Sequence, residues 1–532
     1  MPTLRRTPWP RMADLRLLPV LCATWLACAV CVLLPDAWLV VAPVGVAGSI
    51  ALVHQERTEP RRKARHRLQP TGSTRLAAAA ACAAASCAAV LAGPCRADFD
   101  ADPVTAAAGD GGNHVVVARV QDHPRPDARR RDVVRATVRV VAIRGSPRAS
   151  SARVHASGAA LGATQKGDVV RIRGTLRGEG ATPPLAAFMN VDVVDVLERP
   201  TGWRAGPRVV HGALVQATEG LPDHAQALVP GMSIGADGAM DRGLRDAMRT
   251  ASLAHLTAVS GTHLAIALGA VARAIPRTGP ARVAACLLVL GAFIAVGGPE
   301  PSIIRSASMA GVALLGLVIS RPGQSMGVLM GVATAMLMVD PWCAVSPGFG
   351  MSVLATWGVI GPAQWVATWT RSRIRAETTA GRFVRRVVEI VAVPVCAQLM
   401  VCPVLLQMSP WIPTWGVVAN VAAAPAVAPA CLLSLAAAVC GPWWAWGARA
   451  LAWAAAPFTW WIAGVAEMVA DAPLAQLPWL GGWAGVAAMC AMLAGVGGAF
   501  AAGRALWRVV ATRKRKAGDG GRRRGRGDTL PP

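Results

Sequence analysis

The stretch Ala251–Ala272, ASLAHLTAVSGTHLAIALGAVA, decides how this chain is read. It is apolar enough to enter a bilayer, yet its middle carries Ser260-Gly261-Thr262 between His255 and His263. Glycine inside a helix costs about 1 kcal/mol relative to alanine. Ionisable groups at membrane depth are rare and face a cavity or a protein partner. A polar, breakable point inside an apolar segment suits a membrane pathway and is out of place in a plain anchor. On one uninterrupted helix His255 and His263 face within ~80° of each other; a break at Gly261 changes that angle. Both also read as ordinary packing histidines.

The apolar character extends outward from that stretch. Hydrophobic residues make up 54% of the 532, and charged residues only 16%. Several runs approach the ~20 residues that cross a ~30 Å hydrocarbon core. Such a chain is a polytopic α-helical membrane protein rather than a large soluble helical one. Its net charge of +25 is almost all arginine, since the lysines are only Lys63, Lys166, Lys514 and Lys516. With no tyrosine at all, this marks a compositional bias, so the position of the charges says more than their sum. Most of the 13 cysteines lie in apolar runs, where cysteine behaves as a small hydrophobe. No paired C-x-x-C pattern supports a zinc site, and no metal or cofactor is expected.

Upstream, Leu17–Leu34, Trp38–Val53 and Leu76–Ala92 read as three spans, with a tight turn at Pro35-Asp36 and a strongly basic loop before the third. The positive-inside rule puts the N-terminus and that loop in the cytoplasm, and Gly93 onward outside. From Asn113 to Glu198 the pattern changes to short β-branched, alternating segments such as HVVVARV, RDVVRATVRVVAI and KGDVVRIRGTL. This is the pattern of a small barrel or sandwich, and KGDVVRIRGTL resembles a hairpin strand of an OB-type barrel. Residues 113–199 hold 15 Lys+Arg against 8 Asp+Glu. A basic face on such a barrel suits single-stranded nucleic acid, but Phe188 is its only aromatic residue from Phe, Trp and Tyr, so without a stacking platform a solvated basic surface on a structural domain is the favoured reading.

Downstream, an amphipathic stretch over 225–256 opens a second membrane region. Spans follow at about 253–273, 281–298, 303–320, 325–339, 349–369, 388–408, 412–439, 444–469 and 483–509. Several carry proline, which is tolerated where a helix is buried in protein or lines a wet cavity. The loop Arg371–Arg386 and the tail Arg508–Arg526 are basic and are expected inside. The expected organisation is three spans over 1–95, an extracytoplasmic OB-like barrel over 96–205, a transport domain over 206–510 and a disordered basic tail over 511–532.

Five motifs in order resemble the membrane core of the ComEC family, which moves transforming DNA into naturally competent bacteria. They are ALVPGMSIG at Ala227–Gly235, AHLTAVSGTH at Ala254–His263 and PSIIRSASM at Pro301–Met309, then Asp340-Pro341 with Gly348-Phe349-Gly350-Met351-Ser352, and finally Ala397-Gln398, Pro403, Asn420 and Pro425. The resemblance covers roughly residues 15–510. Family members often carry glutamine where Gly350 stands, and many carry a metallo-β-lactamase-like domain whose H-x-H-x-D-H motif does not occur here.

The resemblance implies a membrane channel for single-stranded DNA, without enzymatic activity of its own. The implied partners are an extracytoplasmic DNA receptor, a cytoplasmic ATP-driven translocase, a separate nuclease and membrane lipid. No Walker-type run is present, so ATP hydrolysis is not expected of this chain. Candidates for the DNA path are His255, Ser260, Gly261, His263, Ser302, Arg305, Asp340, Ser352, Gln398 and Asn420. Each has a plainer reading. Arg305 snorkels or pairs with Glu300 or Asp340, Asp340 caps a turn, and Gln398 and Asn420 bond between helices. The tryptophans from Trp443 to Trp461 read as an interfacial belt. The alternatives are an ion-coupled transporter of a small anionic solute, using His263 or Arg305, and a membrane-anchored OB-type binding module.

Overall fold

The computed structural model describes residues 15–58, 71–127, 130, 133–181, 183–257, 261–275, 279–297, 303–304, 306–308, 310–311, 325–374, 377–495 and 498. It is mostly helical, with one small barrel. Contacts divide it into a large unit, Met1–Met400 with Pro413–Ala475, and a small one, Val401–Ile412 with Gln476–Pro532.

Three helices open the large unit: α1 (Leu18–Leu33), α2 (Trp38–Thr58) and α3 (Thr71–Asp100). Asp36 turns the chain between the first two with φ 59°. The Ser86 hydroxyl donates to the Ala42 carbonyl at 2.8 Å, tying α3 to α2 without leaving a buried donor unpaired.

A short helix, α4 (Pro103–Ala108), leads into the barrel. Asp102 caps it, accepting from Val104 N at 2.9 Å. The same carboxylate accepts from the Ser150 hydroxyl at 2.8 Å and from Ser151 N at 2.9 Å. The strands are β1 (Asn113–Val120), the two-residue β2 (Arg125–Pro126), β3 (Val134–Ile143), β4 (Arg153–Gly158), β5 (Val169–Arg177) and β6 (Leu185–Glu198). β1 pairs antiparallel with both β3 and β5, β3 with β4, and β5 with β6; β4 and β6 run parallel. The five long strands therefore close on themselves, which removes the exposed edges of an open sheet. Alternation fills the interior: Val170, Ile172 and Leu176 are buried while Arg171, Arg173 and Arg177 are exposed.

The barrel is clasped to three further helices, α5 (Gly206–Thr218), α6 (Asp223–Ile234) and α7 (Arg242–Thr250). Arg208 of α5 reaches the buried Asp168 at 2.6 Å. Arg125 meets Asp237 at 2.8 Å, and Arg242 donates to the Asp127 carbonyl at 3.2 Å. The His123 and His211 rings stack with centroids 4.8 Å apart and 20° between planes. Burial, together with His211, Lys166 and Arg125, pushes His123 down to about 3; burial lowers His211 as well.

The remaining described helices are α8 (Gly261–Ala274), α9 (Pro280–Gly297), α10 (Ser325–Val339), α11 (Pro347–Gly358), α12 (Gln364–Arg373), α13 (Thr379–Met408), α14 (Gly416–Cys440) and α15 (Ala445–Ala470). Among the described residues, four segments are long and apolar enough to cross a membrane: Leu15–Leu33, Arg75–Asp100, Thr379–Met408 and Gly416–Cys440. Trp38–His54, His263–Ala274, Pro280–Ala295, Met326–Val339 and Gly482–Gly495 are apolar but shorter.

Three expectations change. The segment 253–273 is not one helix: a 3₁₀ turn at Ala254–Leu256 precedes a helix beginning at Gly261. The segment 349–369 is interrupted by a π turn at Val359–Ala363, which holds Pro362, the residue type that breaks the backbone ladder. The stretch 225–256 is not uniformly amphipathic, because α6 is buried from Ala227 through Ile234 and only α7 keeps a polar face. α15 meets 444–469 but is not among the four long apolar segments; it carries Trp446, Trp453, Trp460 and Trp461 with Arg449 and Glu467. The span 303–320 and the tail 511–532 lie largely or wholly outside the described residues.

In the small unit, Cys402, Leu406 and Met489 form an apolar core, and Trp479 N donates to the Pro410 carbonyl at 2.9 Å.

Candidate functional site

The turn after α7 organises the site. Ser252 takes φ 58°, a conformation that costs a non-glycine residue energy and persists where surrounding structure holds it. Its carbonyl meets His255 Nδ1 at 3.0 Å and accepts from the Asn420 amide at 3.5 Å. Asn420, on the first turns of α14, also donates to the Gly416 carbonyl at 2.8 Å. Gln398 of α13 donates to the Pro413 carbonyl at 3.2 Å. Gly416 sits between them: a Cβ there would lie 3.0 Å from both Gln398 Oε1 and Ser252 Cβ. A larger residue would separate the three segments.

His255, Asn420 and Gln398 thus join one polar seam. His255 is exposed and the two amides are half-buried, so all three keep some surface. The seam sits on a dry base in which Leu228 and Met232 of α6, Leu253 and Leu256 of the turn, and Ala419 and Ala423 of α14 pack together. Gly231 of α6 brings that helix close to the turn, where a Cβ would meet Thr257 Cβ at 3.4 Å.

The same turn leads into α8. Gly261 is its first residue, and a Cβ there would meet Ser306 Oγ at 3.3 Å. The third motif is therefore packed against the second. Leu264, Phe293 and Ile303 form the apolar contact beside it. His263 is only 2% exposed and reaches the Leu256 backbone, so it belongs to the packing between turn and helix. His255 and His263 do not share a helix face, because His255 lies in the 3₁₀ turn and His263 in α8.

Asp340 and Ser352 lie in another cluster. Asp340 caps the 3₁₀ turn Pro341–Val345, accepting from Trp342 N at 3.2 Å. Ser352 is half-buried in α11, and its carbonyl accepts from the Thr356 hydroxyl at 2.8 Å. Phe349, three residues earlier, packs on Trp25 of α1 with ring centroids 5.0 Å apart. Phe349 joins the apolar junction of α1, α10 and α11 with Cys28, Leu337 and Val353, while the Asp340 bond is that of a turn cap. Ser260, Ser302 and Arg305 lie outside the described residues, as does Glu300, so the pairings expected of Arg305 do too.

Two participants carry no signal in the sequence. Ser252 acts through its carbonyl, which every residue owns, and Gly416 acts through the side chain it lacks. Among the described residues, no group of three or more His, Cys, Asp or Glu side chains is placed to hold a metal ion.

The seam residues after Ser233 fall within a span matched by a family model. The model is Competence, described as competence protein, and it matches residues 232–504, just over half of the chain. No curated protein and no solved structure matches.

Proposed function

Since the chain belongs to the Competence protein family, whose role is in DNA uptake, we propose that it forms a membrane conduit passing single-stranded DNA into the cytoplasm. The observation that carries this reading is the convergence of Ser252, His255, Gln398, Gly416 and Asn420, contributed by three separated segments, into one seam. A plain anchor has no use for such a seam. The two amides carry no charge and are held by backbone carbonyls, so a polyanion passing along the seam meets polar surface without an ion pair to hold it.

The barrel is read as an OB-type domain on the outer side. Supporting this, its five long strands close in the chain order first, second, third, fifth, fourth, with the third and fifth parallel. A 3₁₀ turn at Ala159–Ala163 stands between the third and fourth. The chain acts without enzymatic chemistry of its own. Force comes from a cytoplasmic ATP-driven translocase, strand degradation from a separate nuclease, and delivery from an extracytoplasmic receptor.

The test is uptake of labelled DNA across the inner membrane in a gene-deletion strain complemented with wild type or Asn420→Ala, with membrane levels matched. Wild type restores uptake and Asn420→Ala does not. Uptake that is unchanged in the deletion strain itself sinks the conduit.

A further inference from the structure

The outer face of the barrel carries something its sequence does not announce. Thr137, His155 and Phe188 are register partners across β3, β4 and β6, and Arg177 of β5 is the register partner of Phe188. Because side chains alternate along a strand, these four form one transverse row on the outside. His155 and Phe188 touch, with ring centroids 5.9 Å apart and planes at 40°. Thr137 Oγ1 holds His155 Nδ1 at 3.1 Å, which fixes the ring. Phe188 is 41% exposed, far from the burial expected of a lone phenylalanine in a small domain.

Arginines surround the pair. Arg139 and Arg153 are register partners one step along β3 and β4, and Arg135 lies one step the other way. Arg135, Arg139 and Arg177 are exposed. Arg135 also pairs with Asp127, and Asp122 is near His155. The other acids of β6, Asp192, Asp195 and Glu198, stand further along the strand, with Asp195 opposite Arg171. Burial, with Arg135 against the pull of Asp122, lowers His155, so its ring is neutral at pH 7 and free to stack.

We propose that this face of β3, β4, β6 and β5 is a landing patch for single-stranded DNA, with the His155–Phe188 pair as stacking platform and Arg135, Arg139, Arg153 and Arg177 as phosphate contacts. The proposal deepens the conduit reading and rests on it for the identity of the strand. Aromatic faces interleaved with positive charge are how sequence-tolerant single-strand binders work: every base has a π-face, and the backbone follows the cations. The patch lies on the barrel and the polar seam on the helices, so docking and passage are separate steps.

The test uses full-length protein in nanodiscs of neutral lipid and a fluorescein-labelled, mixed-sequence single-stranded oligonucleotide, read by anisotropy. Phe188→Ala weakens binding about ten-fold, within the range for loss of one stacked base, while Phe188→Trp retains it. The pair Arg139→Gln and Arg153→Gln lowers the slope of log affinity against log salt by about 1.4, the value for two phosphates on a single strand. Wild-type affinity in both the alanine and the double-glutamine variants overturns the patch. So does arginine-dependent binding to phosphatidylglycerol vesicles that the oligonucleotide fails to displace, which makes lipid the occupant. Asn420→Ala keeps oligonucleotide affinity and loses uptake; unchanged uptake in that variant sinks the seam and leaves the patch standing.

Discussion

Gly416 and Gln398 approach so closely that a Cβ on the glycine would sit 3.0 Å from the Gln398 side-chain oxygen, with Ser252 Cβ equally near on the other side. A methyl group there is tolerated only if Gln398 swings away from Pro413, to which it donates. A branched side chain has no such escape, because Ser252 cannot move without its strained turn. Gly416→Val therefore destabilises by about 1–3 kcal/mol, the usual cost of overpacking, and Gly416→Ala by less. Thermal unfolding in detergent reads the order of the two. DNA uptake falls in the same order, since Ser252, Gln398 and Asn420 part together.

The two histidines separate by role. His263 is buried and packs between turn and helix, so His263→Ala leaves a cavity and costs ~2–3 kcal/mol. His255 is exposed, and its ring meets the Ser252 carbonyl. His255→Ala stays within about 0.5 kcal/mol of wild type, as surface changes do, yet lowers uptake. Melting temperatures and uptake measured on both variants check this. Equal destabilisation by both, or full uptake in His255→Ala, contradicts the assignment.

The clasp between barrel and helices has an asymmetric weak point. Asp168 is 1% exposed and Arg208 24%. Removing the arginine strands a buried carboxylate, which costs about 3 kcal/mol or more. Asp168→Asn leaves a neutral oxygen that still accepts from Gln165 N, a bond of 2.9 Å in the native protein, and the arginine keeps access to water. Arg208→Ala is thus the more damaging change, measured by chemical denaturation. The reverse order places the cost on the arginine instead.

How much of this was legible depends on whether side chains or backbone carry it. The barrel strands were readable because inward valines alternate with outward arginines, as in Val170-Arg171-Ile172-Arg173. Their closure was not, since β1 pairs with β3 and β5 through contacts that no local pattern encodes. Gln398 and Asn420 stood out as amides in apolar runs. The group that unites Asn420 with His255 is the carbonyl of Ser252, which has no sequence signature. Asp340 and Ser352 stand in a motif, but Asp340 caps a turn and Ser352 bonds through its backbone carbonyl within a helix. The stacking face has no local signal: Phe188 is a lone aromatic in the sequence, and His155 reaches it through the parallel pairing of β4 and β6.

The histidine stack gives the clasp a pH dependence whose sign follows from its burial. In the unfolded chain both rings titrate near ~6.5. In the folded protein His123 is held down to about 3, by burial first and then by His211, Lys166 and Arg125, and burial lowers His211 too. Above pH ~6.5 both states are neutral at these rings and pH changes nothing. Below it the unfolded chain takes up protons that the folded protein refuses, so folding loses stability as pH falls from about 6.5 towards 3. The loss is at most ~1.4 kcal/mol per pH unit for each ring. His123→Phe keeps a flat ring against His211 and removes one titrating group. Its melting temperature should therefore fall less than that of wild type between pH 7 and pH 5. Identical pH profiles for the two proteins would mean that His123 is protonated within the fold and that the stack is not the neutral contact its geometry implies.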